Sequence, residues 1–321
     1  MKVTIPNELK ATVPQTQWGR ILTTTPVIMT ILATLLAGLA SSEMTRAQYD
    51  RSLAAQQQSK AGDQWSYFQA KRLRGGMQRT TLDILQATSP VRPFNLGQFK
   101  QAAAALSAPA DRPEARAKTE LLSLLDSSLG QQALALLEST DLPEPPAGPA
   151  TDNQVEAALK AIETTQPESE VATLVAPIKV STVNEMLRAG LARVQAFDAL
   201  LKPLNQTVDK IEILLSQTAA PLNHDFIVAR LRYTGLRYDA ESRLNQTVAN
   251  LYELQVRQSN ISAERHHRRS QRFFFGMLGA QAAVIISTFS IAAQKRSLLW
   301  SLAAAAGLAA VAFAIYVYFF I

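Results

Sequence analysis

The chain has 321 residues, 47% of them hydrophobic, with a formal net charge of +6 and no cysteine. Without cysteine, disulfides, thiolate zinc sites, iron–sulfur clusters and cysteine nucleophiles are excluded. The positive charge is no nucleic-acid signature. Lys2, Glu8, Lys10, Arg20, Lys295 and Arg296 account for +4, which leaves +2 on residues 42–272, and Arg265, Arg268, Arg269 and Arg272 more than supply that. Basic groups beside apolar segments are placed to meet anionic lipid head groups, so lipids are expected partners and nucleic acid is not.

Residues 1–20 form a polar N-terminal tail. Three runs free of Asp, Glu, Lys, Arg and His follow in the chain: Ile21–Ala40, Phe273–Ala293 and Leu298–Ile321, each 20 to 24 residues long. A hydrocarbon core of roughly 30 Å needs about 20 helical residues, so three transmembrane helices are predicted, at 21–42, 273–293 and 298–321. Gly38-Leu39-Ala40 loosely resembles a signal cleavage site, but a signal's apolar core is about 7–15 residues; the expectation is an uncleaved span.

The segment from Arg265 to Arg272 holds four arginines and two histidines against the second span, whereas the far loop 294–297 holds only Lys295 and Arg296. Positive charge is retained on the cytoplasmic side. That rule puts residues 43–272 and the C-terminus in the cytoplasm and the N-terminus outside. Trp18 and Trp300 then stand at the outer interface, and Tyr316 and Tyr318 toward the inner one.

Between the first two spans Ala, Leu, Gln, Glu and Arg dominate, and alternating β-branched runs are missing, so the region reads as helix. From Met44 a weak heptad seam passes through Ala47, Arg51, Ala54, Gln58 and Ala61 to Trp65 and Phe68. It defines a first stalk helix (43–89) in which Gly75-Gly76 predicts a stop or hinge. Ser89-Pro90-Val91-Arg92-Pro93 breaks the chain, and a helical insert or head spans 90–200. Its helices are predicted at 97–107, 112–139, 152–165, 167–177 and 181–218, with a kink at Pro203 and a Pro-rich linker at 141–152. A returning stalk helix occupies 201–272, its seam formed by Phe226, Ala229, Tyr233, Leu236, Ala240, Leu244, Val248, Leu251 and Leu254. Two helices leaving one membrane face antiparallel bring Trp65 and Phe68 level with Val248, Leu251 and Tyr252. Those five residues are predicted to lock the stalk, or else the aromatics form an exposed patch for a partner. The fold class is therefore an all-α membrane protein with three transmembrane helices, a long antiparallel helical stalk and a helical head.

Chemistry is sparse. His224, His266 and His267 lack metal-ligand spacing, and no phosphate loop or nucleophile elbow is present. No catalytic, cofactor-binding or metal-binding residue is predicted. Arg265, His266, His267, Arg268, Arg269 and Arg272 are assigned to lipid head groups. The carboxylate pairs Glu168/Glu170 and Asp239/Glu241 read as solvent faces, and the Asn-x-Ser/Thr matches at Asn205, Asn245 and Asn260 carry no meaning on a cytoplasmic helix. Gln281, Gly276, Gly279 and Gly307 are assigned to packing between spans, because small residues let helices close in lipid. Gln281 with Ser287 and Thr288 could alternatively line a pore.

The run Asp63-Gln64-Trp65-Ser66-Tyr67-Phe68-Gln69-Ala70-Lys71 resembles the signature of the bacterial domain-of-unknown-function family 4337, as do the His/Arg-rich junction before the second span and Leu299-Trp300 opening the last. The resemblance covers the first span, 42–75 and 225–321; Phe68 stands where Tyr is expected, and residues 84–200 look unrelated. It implies a bacterial integral membrane protein and carries no activity. The readings that follow are a non-enzymatic inner-membrane scaffold that self-associates or holds a protein through its head, a homo-oligomeric channel or transporter accessory, and, least, an enzyme.

Overall fold

In the computed structural model, residues 17–106, 113–148, 152–218, 220–292 and 296–320 are described. Among them every regular element is an α-helix: α1 (Gln17–Thr88), α2 (Leu96–Ala104), α3 (Pro113–Asp126), α4 (Ser128–Ser139), α5 (Asn153–Glu163), α6 (Glu168–Val175), α7 (Val180–Thr218), α8 (Ala220–Ala292) and α9 (Arg296–Phe320). The chain divides into two compact units, Met1–Ala54 with Ser259–Ile321, and Ala55–Gln258.

Within Ala55–Gln258, α7 and α8 form an antiparallel hairpin. Arg230 reaches back to Asp209 and Glu212 at 2.8 and 2.5 Å, and Tyr233 donates to Asn205 Oδ1 at 2.8 Å. Pro221 is the second residue of α8, where a missing N–H removes no intrahelical bond. Helix α7 continues through Pro203. Onto this hairpin α2, α3 and α4 lay Phe99, Leu121, Leu125 and Leu134, which pack with Phe197, Ile211 and Phe226. The rings of Phe94, Phe99 and Phe226 form one group, with centroids 5.1 to 6.3 Å apart.

Caps explain where the short helices start. Asn95 accepts from Gln98 N–H, and Asp152 from Gln154 and Val155 N–H, each satisfying donors that the first turn leaves open. The helix predicted over 112–139 is two helices. Ser127 leaves the helical region (φ −67°, ψ 151°) and its hydroxyl accepts from Gly130 N–H. A side chain at Gly130 would overlap the Leu124 carbonyl, so the tight turn requires glycine. Residues 142–148 are non-helical, as the prolines predict; positions 149–151 lie outside the described residues.

The part of α1 in this unit runs antiparallel to α8. Lys71 pairs with Glu241, Arg79 with Asp239, and Ser89 Oγ lies 2.9 Å from His224 Nε2. No stop occurs at Gly75-Gly76. A Cβ at Gly75 would sit 3.3 Å from Tyr238 Cβ and Asp239 Oδ1, so the glycine serves close helix approach rather than termination.

The other unit holds the start of α1, the end of α8, and α9. These helices are long and apolar enough to cross a membrane, with windows of mean hydropathy 1.7, 1.6 and 2.2. Ala33, Leu36, Ala40, Phe273, Ala280, Ala310 and Val317 form their shared core. Ile28, Leu35, Phe275, Phe289, Leu308 and Phe319 are exposed. Backbones come close at small residues: a Cβ at Gly276 would stand 3.4 Å from Leu36, and one at Gly307 would collide with the Met29 side chain. Polar bonds also cross between helices, among them Ser270 Oγ to the Ala40 carbonyl at 2.7 Å and Trp300 Nε1 to Thr25 Oγ1 at 3.1 Å. The polar tail 1–16, Lys295 and the side chains of Trp18 and Arg296 lie outside the described residues.

Candidate functional site

Three groups of residues concentrate the chemistry of this chain. The first is a charged seam where α1 meets α8 in the Ala55–Gln258 unit. Lys71 Nζ pairs with the Glu241 carboxylate, which also faces Arg237 Nε at 3.4 Å, while Arg79 pairs with Asp239. The Tyr238 ring lies under both cations, 5.5 Å from Lys71 and 4.6 Å from Arg237. Glu241 is 6% exposed, so Asp239 and Glu241 are not the solvent face that their spacing predicts. A carboxylate leaves water only with cations to meet it, and here α1 supplies Lys71 and Arg79 and α8 itself Arg237. Nearby, burial pushes the Tyr233 phenol up to about 12; Arg237 pulls against this, and Glu241 and Asp209 add to it.

The second group is aromatic. Trp65 and Phe68 meet edge to face, centroids 5.5 Å apart, with the Arg72 guanidinium 5.9 Å from the Phe68 ring. Val248 and Leu251 are buried on α8 and turn toward α7. A Cβ at Gly190 would stand 3.4 Å from Val248 Cγ2 and 3.8 Å from Leu251 Cδ1. The structure thus pairs Trp65 with Phe68, and Val248 with Leu251 against Gly190, with Tyr252 half-buried on the same helix. Beyond Phe68 an apolar stripe continues along α1. Leu73, Met77 and Ile84 are 67, 60 and 57% exposed at steps of four and seven residues. Leu73 and Met77 border a shallow groove with Phe68, Gln69 and Thr80. The same period is present in the sequence, but the stop predicted at Gly75-Gly76 conceals it.

The third group lies in the unit of the apolar helices. His266 Nδ1 is 2.6 Å from Glu43 Oε2, and its Nε2 is 4.0 Å from Asp50; Arg46 approaches Glu43 at 3.3 Å. His266 therefore faces two carboxylates of α1. His267 meets the Gln271 amide at 3.0 Å. Arg265 and Arg268 are exposed, Arg269 and Arg272 half-buried. Arg268 Nε donates to Glu264 at 2.9 Å, and that bond holds the Glu264 carboxyl below the usual carboxylate range. Farther along α8, Gln281 and Thr288 are exposed one heptad apart, while Ser287 and Ser290 are buried. A Cβ at Gly279 would touch Ala310 at 3.9 Å.

Among known proteins, the family model described as "Domain of unknown function (DUF4337)" matches residues 21–167. It is the family that the Asp63–Lys71 run resembles, and the match agrees with that resemblance over the stretch it covers. The matched stretch includes residues 84–167, which the sequence alone sets apart from the family, and it stops short of 225–321. No curated protein and no solved structure matches the chain.

Proposed function

We propose that this chain is a non-enzymatic protein of the bacterial inner membrane whose helical region between the first two spans self-associates or holds a protein partner. The membrane part is carried by an inversion of side-chain size. In the apolar unit Ala33, Ala280, Ala283 and Ala303 are buried while Leu35, Phe275, Phe289 and Phe319 face outward. Water would drive the large groups inward; lipid does not, and small residues then let helices approach. The basic run Arg265–Arg272 supports the topology with residues 43–272 and the C-terminus inside. Arg265 and Arg268 are the residues placed to meet lipid phosphates.

Association rests on the exposed stripe Leu73, Met77 and Ile84. Its steps of four and seven residues suit a second α-helix, and the partner we name is a second copy of this chain. The test is the native mass of the nanodisc-held protein. A dimer that becomes a monomer in the double variant Leu73→Glu/Met77→Glu supports the reading. An unchanged mass in that variant removes the stripe as the interface. A channel reading has one observation in its favour, the outward-facing Gln281, a polar group that hydrocarbon does not satisfy; Thr288, one heptad on, donates its hydroxyl to the Val284 carbonyl. A closed ring that Gln281→Leu disperses would establish it.

A further inference from the structure

A half-enclosed cavity of about 230 Å³ opens within the Ala55–Gln258 unit, between α5, α7, α8 and Gly148. Its walls are mostly apolar, with Leu159, Met186 and Leu244 among the lining residues. One cation is set into this wall. The Nε of Arg193 is sealed from solvent and donates to no described residue, and among the described residues Arg193 makes no ion pair. The other arginines of the unit with a sealed Nε are served differently: Arg237 faces Glu241, and Arg257 pairs with Glu168 and Glu253.

The Nε is closed to the cavity as well as to bulk water, so the groups a bound acceptor would meet are the terminal nitrogens, which no described residue engages. Gly148 stands where a side chain would obstruct that acceptor. A Cβ there would lie 3.2 Å from a terminal nitrogen of Arg193, so the bare backbone keeps the fork approachable. A fork of parallel N–H groups matches one planar carboxylate.

We infer that this cavity binds a small monocarboxylate with an apolar body, its carboxylate on Arg193 and its hydrocarbon against Leu159, Met186 and Leu244. Volume sets the size. An apolar cavity of about 150 Å³ accepts benzene, so this one accepts a phenyl ring with a short acidic arm. Charge sets the class. Glu156, exposed in the wall, opposes every anion and a dianionic phosphate ester more than a monocarboxylate. The inference rests on one unit of the chain and does not depend on the membrane reading.

The test is equilibrium dialysis of 3-phenylpropanoate against the full chain in nanodiscs, with empty discs as the blank. Should the chain prove soluble without lipid, the same dialysis is run without discs. Saturable binding is expected, with 3-phenylpropan-1-ol and phenyl phosphate each at least about tenfold weaker, the scale of one charge-assisted hydrogen bond. Arg193→Gln should weaken the acid by about 10- to 100-fold and leave the alcohol unchanged. Met186→Trp, which fills the cavity, should abolish both. Equal binding of acid and alcohol, phenyl phosphate binding as tightly as the acid, undiminished acid binding by Arg193→Gln, or no binding by the unmodified chain would each overturn the proposal.

Discussion

The two units of this chain bury opposite kinds of side chain. In Ala55–Gln258 the largest sealed groups are Tyr233, Phe197, Phe226 and a set of leucines. In the unit of the apolar helices, alanines, Ser287 and Ser290 are sealed instead, and Phe274, Phe275 and Phe289 stand outside. Leu36 and Phe273 are the large exceptions. On the membrane reading proposed above, side chains of the same type take opposite places because they face different solvents. In water the gain from burying a phenylalanine is large; between lipid-facing helices it vanishes, and backbone proximity decides instead.

Paired truncations break this comparison most directly. Phe226→Ala removes the centre of the Phe94–Phe99–Phe226 group and is expected to cost about 3–5 kcal/mol. Phe289→Ala, at a ring 66% exposed, should stay within about 0.5 kcal/mol in a bilayer. Urea titration in nanodiscs, followed by hydrogen exchange of each unit, reads both. A large loss for Phe289→Ala would mean that its ring is covered by protein rather than lipid.

Tyr233 sharpens the aqueous side. Its phenol is neutral when protonated and buried, and its folded pKa of about 12 stands above the ordinary value of 10. The stabilisation, about 2–3 kcal/mol, is fully present below pH 10 and is lost as pH rises through 12. Tyr233→Phe should cost about 1 kcal/mol at pH 7, for the lost bond to Asn205, yet unfold at a higher pH than the unmodified chain. An alkaline midpoint unchanged by the substitution would show that other groups govern the transition.

What the sequence made legible follows the same division. Charge-free runs and helix-forming composition report on one dimension, so the apolar helices and the breaks at Pro90, Pro93 and 141–148 could be read directly. Gly75 could not, because a glycine that ends a helix and one that admits a neighbour look alike until Tyr238 is placed 3.3 Å from its missing Cβ. The same holds for Asp239 and Glu241, whose cations Arg79 and Lys71 lie some 160–170 positions away in the chain. Ser127 was within reach: a Ser three positions before a Gly is a cap-and-turn signal, outweighed by the apolar period running through it.

In the unit of the apolar helices, an enlargement complements the truncations. Ala280 is fully buried among Leu36, Ala310 and their neighbours. Ala280→Leu should force the helices apart at a cost of about 1–3 kcal/mol. The same exchange at exposed Ala282 should be silent, because a larger apolar group there meets only lipid. Steric-trap unfolding in bicelles separates the two; equal effects would mean that the buried and exposed faces of α8 are not distinguished by lipid.

The smallest effect belongs to Glu264, near the start of the basic run. Its carboxyl titrates below the usual carboxylate range because Arg268, one turn on, donates to it; both side chains are largely exposed, 50% and 65%. A depressed folded pKa contributes stability above the unfolded value and loses it as pH falls through the folded one, so any contribution is complete at pH 7. Solvent and salt screen an exposed pair one helical turn apart, and holding two long side chains together opposes what remains. Glu264→Gln should therefore leave unfolding at pH 7 unchanged within error. It also frees Arg268. If Arg268 serves lipid phosphates, as proposed, the variant should bind vesicles containing anionic lipid slightly more tightly than the unmodified chain and bind zwitterionic vesicles equally. Weaker binding to the anionic vesicles would mean that the Glu264–Arg268 pair, rather than the free arginine, presents the surface that lipid meets.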